Sequence, residues 1–403
     1  MPAEHSSPDL LVLGGGVIGL SVAWRAREQG MSVTVLERDV TGRGTSFVAA
    51  GMLAPVAEVD FGEAGRRVLE LGLRSAEIWP AFAEDLQARA GMDVGLMRTG
   101  TLVLARDEDA ARELDRQIAL RDSLGLRVER LRPSQARQRE PALAPTVRLA
   151  LSAPDDHSVD PRLLLAALRR ACEAAGVRLR EHTRVARIES DPAGTCVTGV
   201  RIDGARHEFV AAERVLVAAG AWVEQIEGLP LHARVPVRPV RGQILRLRDP
   251  AGPGLLRGVV RFEGGYLVPR ADGRYVLGAT VEERGFELST TAGAIHELLR
   301  DTHEVLPGVS ELVIEELCVG LRPGTPDNAP AIGPGAVEGL MWATGHHRNG
   351  ILLAPLTAEL VVGLLTGRPD DRLLGACEPA RFAAASAGRP GAAHAPATRA
   401  VLS

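Results

Sequence analysis

The chain contains no lysine, so all 47 of its basic side chains are arginine. Without a lysine amine no Schiff base can form, which excludes pyridoxal-phosphate chemistry as well as a phosphate-binding loop of the usual lysine-containing kind. Arginine-rich codon usage is the plain explanation of the bias, and the exclusion holds either way. Cysteine is also scarce. Cys172, Cys196, Cys318 and Cys377 stand far apart with no C-x-x-C pair, so no disulfide framework is expected, only reduced core thiols in a cytoplasmic protein. A formal charge of −4 offers no basic field to nucleic acid. No apolar run is long enough to span a bilayer, and the opening MPAEHSSPD lacks the basic-then-apolar pattern of an export signal. A soluble protein is expected. Tyrosine occurs twice, so a tyrosine inside a motif is not explained by abundance.

Against these absences, glycine is plentiful, and its densest use lies near the start. Leu10 to Leu13 form an unbroken apolar run, which predicts a parallel strand buried on both faces. Gly14, Gly16 and Gly19 follow with G-x-G-x-x-G spacing. The first allows a tight turn, the second lets backbone approach a pyrophosphate, and the third lets the following helix pack on the strand. That helix would aim its free N–H groups and positive dipole end at the phosphates. Ser32 to Leu36 read as a second strand, and Glu37 ends it about 20 residues on, where a carboxylate accepts hydrogen bonds from a ribose. A dinucleotide site is expected, although this motif alone does not separate FAD from NAD.

Further along, Thr41 to Pro55 is small and glycine-rich, and helical patterning runs from about Gly62 to Ala90. A short strand at Thr101 to Leu104 precedes a helix capped by Asp107 and ending near Gly125. Asp160, Pro161 and Leu163 to Ala175 predict another helix, closed by Gly176. Two strands follow, VRLREHTRVARIES and CVTGVRIDG. The buried strand RVLVAA, Arg214 to Ala219, reads as a return to the nucleotide-binding sheet. Alternation in Val237 to Leu247 and Gly265 to Leu277 predicts an antiparallel sheet. Leu340 to Thr344 reads as a strand, Gly345 to Asn349 as a turn, and Gly350 to Leu365 as an apolar helix. The expected fold is α/β (α+β overall), with a discontinuous Rossmann-like nucleotide domain at 1–85, 150–225 and 325–370. An inserted antiparallel-sheet substrate domain takes 86–149 and 226–324. Residues 371–403 read as a largely disordered tail of alanine, proline and glycine. No internal repeat is present.

These motifs resemble the FAD-dependent D-amino-acid oxidase family over nearly all of residues 9 to 370, and in particular its glycine-oxidising branch of thiamine biosynthesis. The most specific segments are VGLRPGTPDNAPAIG from Val319 and ATGHHRNGILLAP from Ala343. The glycine motif, AAGMLAP at 49–55, VLVAAGAW at 215–222 and PVRGQ at 239–243 also match. Position by position, the resemblance implies a carboxylate-binding arginine at Arg322, a tyrosine partner at Tyr266 and a second active-site arginine at Arg348. It implies FAD contacts at Gly14, Gly16, Val17, Ile18, Gly19, Glu37 and Arg38, then at Thr45, Ser46, Ala49, Ala50, Gly51 and Met52. Later ones fall on Val185, Ala219, Gly220, Trp222 and Gly242, and on His346, Arg348, Asn349, Gly350 and Ile351. The chain departs from the family at His347, where an aromatic residue is usual, and at Phe47 and Val48, where smaller residues are usual. A homo-oligomer is also implied.

Oxidising an amine beside a carboxylate requires the carboxylate held, the Cα–H presented to the flavin and the amine unprotonated. The redox step belongs to the cofactor. Arg322 suits the first task, because a guanidinium grips a carboxylate through two parallel hydrogen bonds. Tyr266 adds a hydroxyl. The helix after Arg348 would aim its positive end, at Gly350 and Ile351, at the flavin ring. His346 and His347 are expected to pack or hydrogen-bond rather than catalyse, and no metal is expected, since no further ligand clusters nearby. Cys318, four residues before Arg322, raises a covalent flavin link as in related sarcosine oxidases, but its place does not match theirs, so non-covalent FAD is expected. The expected activity is oxidation of glycine, sarcosine or a small D-amino acid to the imine with dioxygen reduced to peroxide. The alternatives are a dehydrogenase that passes electrons to a quinone or carrier, an NAD enzyme, and a dinucleotide-binding protein without catalysis.

Overall fold

The computed structural model of the chain describes residues 7–59, 62–204 and 208–383. Leu10–Leu13, Val33–Leu36, Val215–Val217 and Leu340–Thr344 are buried along their whole length. They lie side by side as parallel neighbours, with Arg178–Arg180 beyond Val33–Leu36. Ala331–Pro334 closes the other edge of this six-stranded sheet as an antiparallel strand. Alternate side chains of the first strand enter two different cores. Leu10 and Val12 join Trp24, Leu164 and Leu352 in the core formed with the helices. Leu11 and Leu13 join Ile188, Val200 and Val217 on the opposite face. A strand dry on both sides needs no polar alternation, which is why its sequence is a plain apolar run.

The helical side of that sheet is formed by Val17–Glu28, Glu63–Ala90, Pro161–Ala175 and Gly350–Leu365. Trp24, Phe82 and Trp79 stack edge to face at centroid separations of 5.6 and 5.5 Å. Ser75 and Trp79 both donate to the carbonyl of Leu352, at 2.6 and 2.8 Å, which pins the start of the last long helix. The opposite side is covered by a three-stranded antiparallel sheet, Val185–Ser190, Val197–Ile202 and Phe209–Ala211.

A second large sheet has eight strands. Its order runs Val313–Gly324, Arg238–Arg248, Arg274–Gly278, Gly265–Pro269, Val259–Phe262, Thr101–Ala105, Leu149–Ala153, Glu129–Leu131. All neighbours are antiparallel except Val259–Phe262 against Thr101–Ala105, which are parallel, so the sheet is mixed. Arg238–Arg248 is buried from Val240 to Leu247 rather than alternating. It lies between two partner strands, and both of its faces are covered. The strand Leu149–Ala153, which a boundary at 150 would cut, pairs within this sheet; we propose that the divide follows it.

Two further expectations change. Residues 371–383 are not a disordered tail. Asp370 caps the helix Asp371–Ala376, Cys377 and Phe382 are buried, and Arg381 bridges to Asp327 at 3.0 Å; residues 384–403 lie outside the described part of the chain. Cys172, Cys318 and Cys377 are buried free thiols, but Cys196 is only half-buried and donates to Glu338 at 3.2 Å.

Candidate functional site

One long cavity runs along the carboxyl ends of the parallel strands and on between the two large sheets. Its first half is formed by the glycine turn. Gly14 sits at φ +110°, and a Cβ there would lie 2.5 Å from the carbonyl oxygen of Ala218; a Cβ on Gly19 would lie 2.0 Å from the carbonyl oxygen of Gly14. Neither position tolerates a side chain, because strand, turn and helix approach through bare backbone. Gly16, Val17 and Ile18 line the cavity. No acidic residue occupies the first turn of their helix and its N-cap, Gly16, has no side chain to cap it, so the helix presents donors and a positive dipole end to an anion.

Glu37 accepts from the N–H groups of Gly15 and Asp39, at 2.7 and 2.9 Å. It therefore braces the turn, each carboxylate oxygen keeps a further lone pair, and the residue lines the cavity. Ser46 accepts from Val17 N–H at 3.2 Å, and Thr45 donates to Leu321 O at 2.9 Å, joining the turn to the large sheet. At the far mouth the Arg38 guanidinium lies 4.0 Å above the Trp222 ring, a cation–π pair. The glycines let strand, turn and helix close up beside a cavity long enough for a dinucleotide, and the helix N-terminus at Gly16, Val17 and Ile18 suits its pyrophosphate.

The inner end carries the charged groups. Tyr266, Arg322, Arg348, His347 and Glu58 converge there. Arg322 is half-buried, and desolvation followed by the neighbouring Arg348 lowers its affinity for a proton, with Tyr266 opposing. Tyr266 is likewise half-buried, and desolvation pushes its hydroxyl up. A Cβ on Gly242 would fall 2.5 Å from Arg322 Nη1, so this glycine makes room for the guanidinium.

His347 adopts φ +47° and donates its N–H to Pro323 O at 2.9 Å. Burial and the adjacent Arg348, Arg322 and Arg238 push its ring down to about 3. His346, pushed down to about 3 by burial, pairs with the hydroxyl of Thr357 at 3.0 Å. Both rings are neutral near pH 7. Glu58 bridges to Arg261 at 3.2 Å. Its loop is pinned by Asp156, which accepts from Val56 and Ala57 N–H at 3.2 and 2.5 Å, and by Arg261, which donates to Ala57 O at 2.8 Å. Burial pushes Asp156 up to about 7 against those two bonds.

Most residues expected to hold the cofactor line this cavity, from Gly14 through Thr45–Ser46 and Ala49–Met52 to Val185, Ala219, Gly220, Trp222, Gly350 and Ile351. Two do not. Gly19 faces its own turn, and Asn349 lines a smaller neighbouring cavity that shares Glu58, His347 and Arg348 with the main one. His346 lines the main cavity but spends its ring nitrogen on Thr357. Phe47 does not line the cavity but packs against the helix-side core between Arg43 and Arg162, 4.3 and 4.0 Å from its ring, while Val48 lines the cavity. Cys318 packs toward Arg162 Nη2 at 3.9 Å and does not line the cavity, which removes the observation that raised a covalent link. Sequence reading missed Glu58, Arg261 and the rim at Thr183 and Gln225, none of which stands in a recognisable motif.

The chain matches the model of the DAO family, FAD dependent oxidoreductase, over residues 9–364. It is 35% identical to the glycine oxidase of Geobacillus kaustophilus over 359 residues, covering 89% of this chain and 92% of that one. It is 36% identical over 383 residues to the bifunctional protein ThiO/ThiG of Synechocystis, and spans about half the length of that relative, 54%. The crystal structure of the Geobacillus kaustophilus glycine oxidase superposes with a TM-score of 0.82 at 33% identity, covering 90% of this chain and 96% of that one. The cavity at the glycine turn and these similarities together make the chain a member of the DAO family of FAD-dependent oxidoreductases.

Proposed function

We propose that the protein oxidises the amine of glycine or a similarly small amino acid to the imine, which water then hydrolyses. The observation that carries this reading is the half-buried Arg322 beside the Tyr266 hydroxyl at the inner end of the FAD cavity. A partly desolvated cation lining a cavity calls for an anion, and a guanidinium binds a carboxylate in a fixed plane. Arg348 adds positive charge, so the inner end recognises a carboxylate strongly. Glu58, the carboxylate at that end of the cavity, balances it by facing the ammonium of a zwitterion. The rings of His346 and His347 are neutral and add no further charge at this end. FAD, once bound, supplies the hydride acceptor and passes the electrons on to dioxygen, giving hydrogen peroxide. The N-terminal end of Gly350–Leu365 faces the same cavity and stabilises negative charge there.

The relatives named glycine oxidase support the amino-acid substrate, and the ThiO/ThiG relatives support a place in thiamine biosynthesis. A cytoplasmic homo-oligomer completes the proposal. The test is an absorbance spectrum of the purified holoprotein between about 350 and 500 nm, the flavin range, recorded without oxygen after adding glycine, sarcosine or D-alanine. Bleaching by one of them, followed by peroxide formation in air, is expected. Flavin bands that none of them bleaches would overturn the substrate class. Slow reoxidation in air would replace oxidase with dehydrogenase.

A further inference from the structure

We propose that Glu282 is a positioning residue for substrate recognition, acting through the backbone carbonyl of Thr280 to set the plane of the Arg322 guanidinium. The inference rests on the reading of Arg322 as the carboxylate clamp. Arg322 Nη1 donates to Thr280 O at 3.0 Å and reaches Arg241 O at 3.4 Å. One nitrogen of the fork is thereby committed to backbone, and the orientation of the others follows from where Thr280 stands.

Thr280 is placed in turn by Glu282. Its hydroxyl donates to Glu282 Oε1 at 2.6 Å, and Gln243 Nε2 donates to the same oxygen at 2.8 Å. Arg241, whose side chain is 2% exposed, pairs with the other oxygen. Gln243 N–H donates to the Thr280 hydroxyl at 2.9 Å, closing the ring. Main-chain bonds between Arg241 and Glu282, at 2.8 and 3.0 Å, hold the two segments in register.

Burial opposes the charge on Glu282, yet the bonds from Thr280, Arg241 and Gln243 hold its carboxyl down to about 2. It stays ionised at every working pH. The charge is needed because the fully buried Arg241 would otherwise lack its nearest anion; its other partner, Glu287 at 3.3 Å, is half exposed. A planar fork that tilts loses one of its two parallel bonds to a carboxylate. Glu282 touches neither substrate nor cofactor in this scheme, so its effect should fall on carboxylate affinity alone.

The test uses the FAD-loaded enzyme. In Glu282→Gln, KM for glycine should rise about five- to tenfold while kcat stays within about twofold. The Kd of acetate, followed through the flavin absorbance, should rise by the same factor. Thr280→Val, which removes the hydroxyl and keeps the carbonyl, should move both constants in the same direction, and it serves alone if Glu282→Gln does not fold. Glu282→Asp should recover part of the loss. Unchanged acetate affinity in Glu282→Gln or Thr280→Val, with Arg322→Ala weakened, would overturn this proposal and leave the clamp intact. Unchanged acetate affinity in Arg322→Ala would overturn the clamp itself. A fall in kcat and flavin content without a rise in KM would make Glu282 a purely structural residue and also overturn the proposal.

Discussion

At the scale of single residues, Arg322 and Glu58 make opposite demands on a ligand, and that opposition separates their roles. Arg322→Ala removes a charge-assisted pair worth about 2–3 kcal/mol, so kcat/KM for glycine should fall roughly 30- to 160-fold with most of the loss in KM. Glu58→Gln should also raise KM for glycine. It should leave acetate binding unchanged or tighter, because the variant no longer repels an anion. Parallel titrations of both variants with glycine and acetate check this, and loss of acetate binding in Glu58→Gln would contradict the assignment.

The two histidines make a second prediction. His346 and His347 are both depressed to about 3 by burial. Each therefore contributes stability that is complete above its ordinary value near 6.5 and is lost as pH falls from there toward 3. The pH profile of kcat/KM should show no step near 6.5 from either ring, and His347→Phe should leave its shape unchanged. Arg322 and Tyr266 were legible beforehand because each stands in a motif. Glu58 and Glu282 were not, since an acidic residue on a loop is ordinary until the fold shows what it faces.

At the scale of elements, the loop that carries Glu58 is held by one buried carboxylate. Asp156 is pushed up to about 7 by burial, whereas in the unfolded chain it titrates near 3.9. The folded protein keeps this proton up to about pH 7 and the unfolded chain does not. Asp156 therefore adds stability that is complete below about 4 and is lost as pH rises to about 7, by at most about 1.4 kcal/mol per pH unit. In Asp156→Asn the term is absent. The stability of the wild type relative to this variant should rise as pH is lowered from 8 to 5, measured as midpoints of denaturant unfolding. A constant difference would show that the loop's anchor does not titrate. The comparison with the variant matters, because the histidines shift stability the other way over part of the same range.

For the whole molecule, the FAD cavity is walled by elements of both large sheets, so binding should couple to the stability of the entire fold. A ligand that binds only the native state stabilises it by about 2.7 kcal/mol at one hundred times its Kd. Removing FAD should lower Tm, and adding it back should restore Tm in proportion to the logarithm of its concentration. A Tm indifferent to FAD would mean that the cavity does not join the two sheets energetically. The sequence by itself determined the first strand, the glycine turn and Glu37. An apolar run or a glycine spacing records them directly, even where the partner lies far along the chain, as Ala218 does from Gly14. The apolar helix Gly350–Leu365 was readable for the same reason. Tertiary structure alone decided the mixed pairing of the large sheet, the ordered segment after Arg372, and the meeting of residues 58, 261, 266, 280 and 322 at one end of a cavity. Those residues meet across long stretches of chain. Their contacts run partly through backbone carbonyls that no side chain announces, and their charges are set by burial, which depends on what the rest of the fold lays over them.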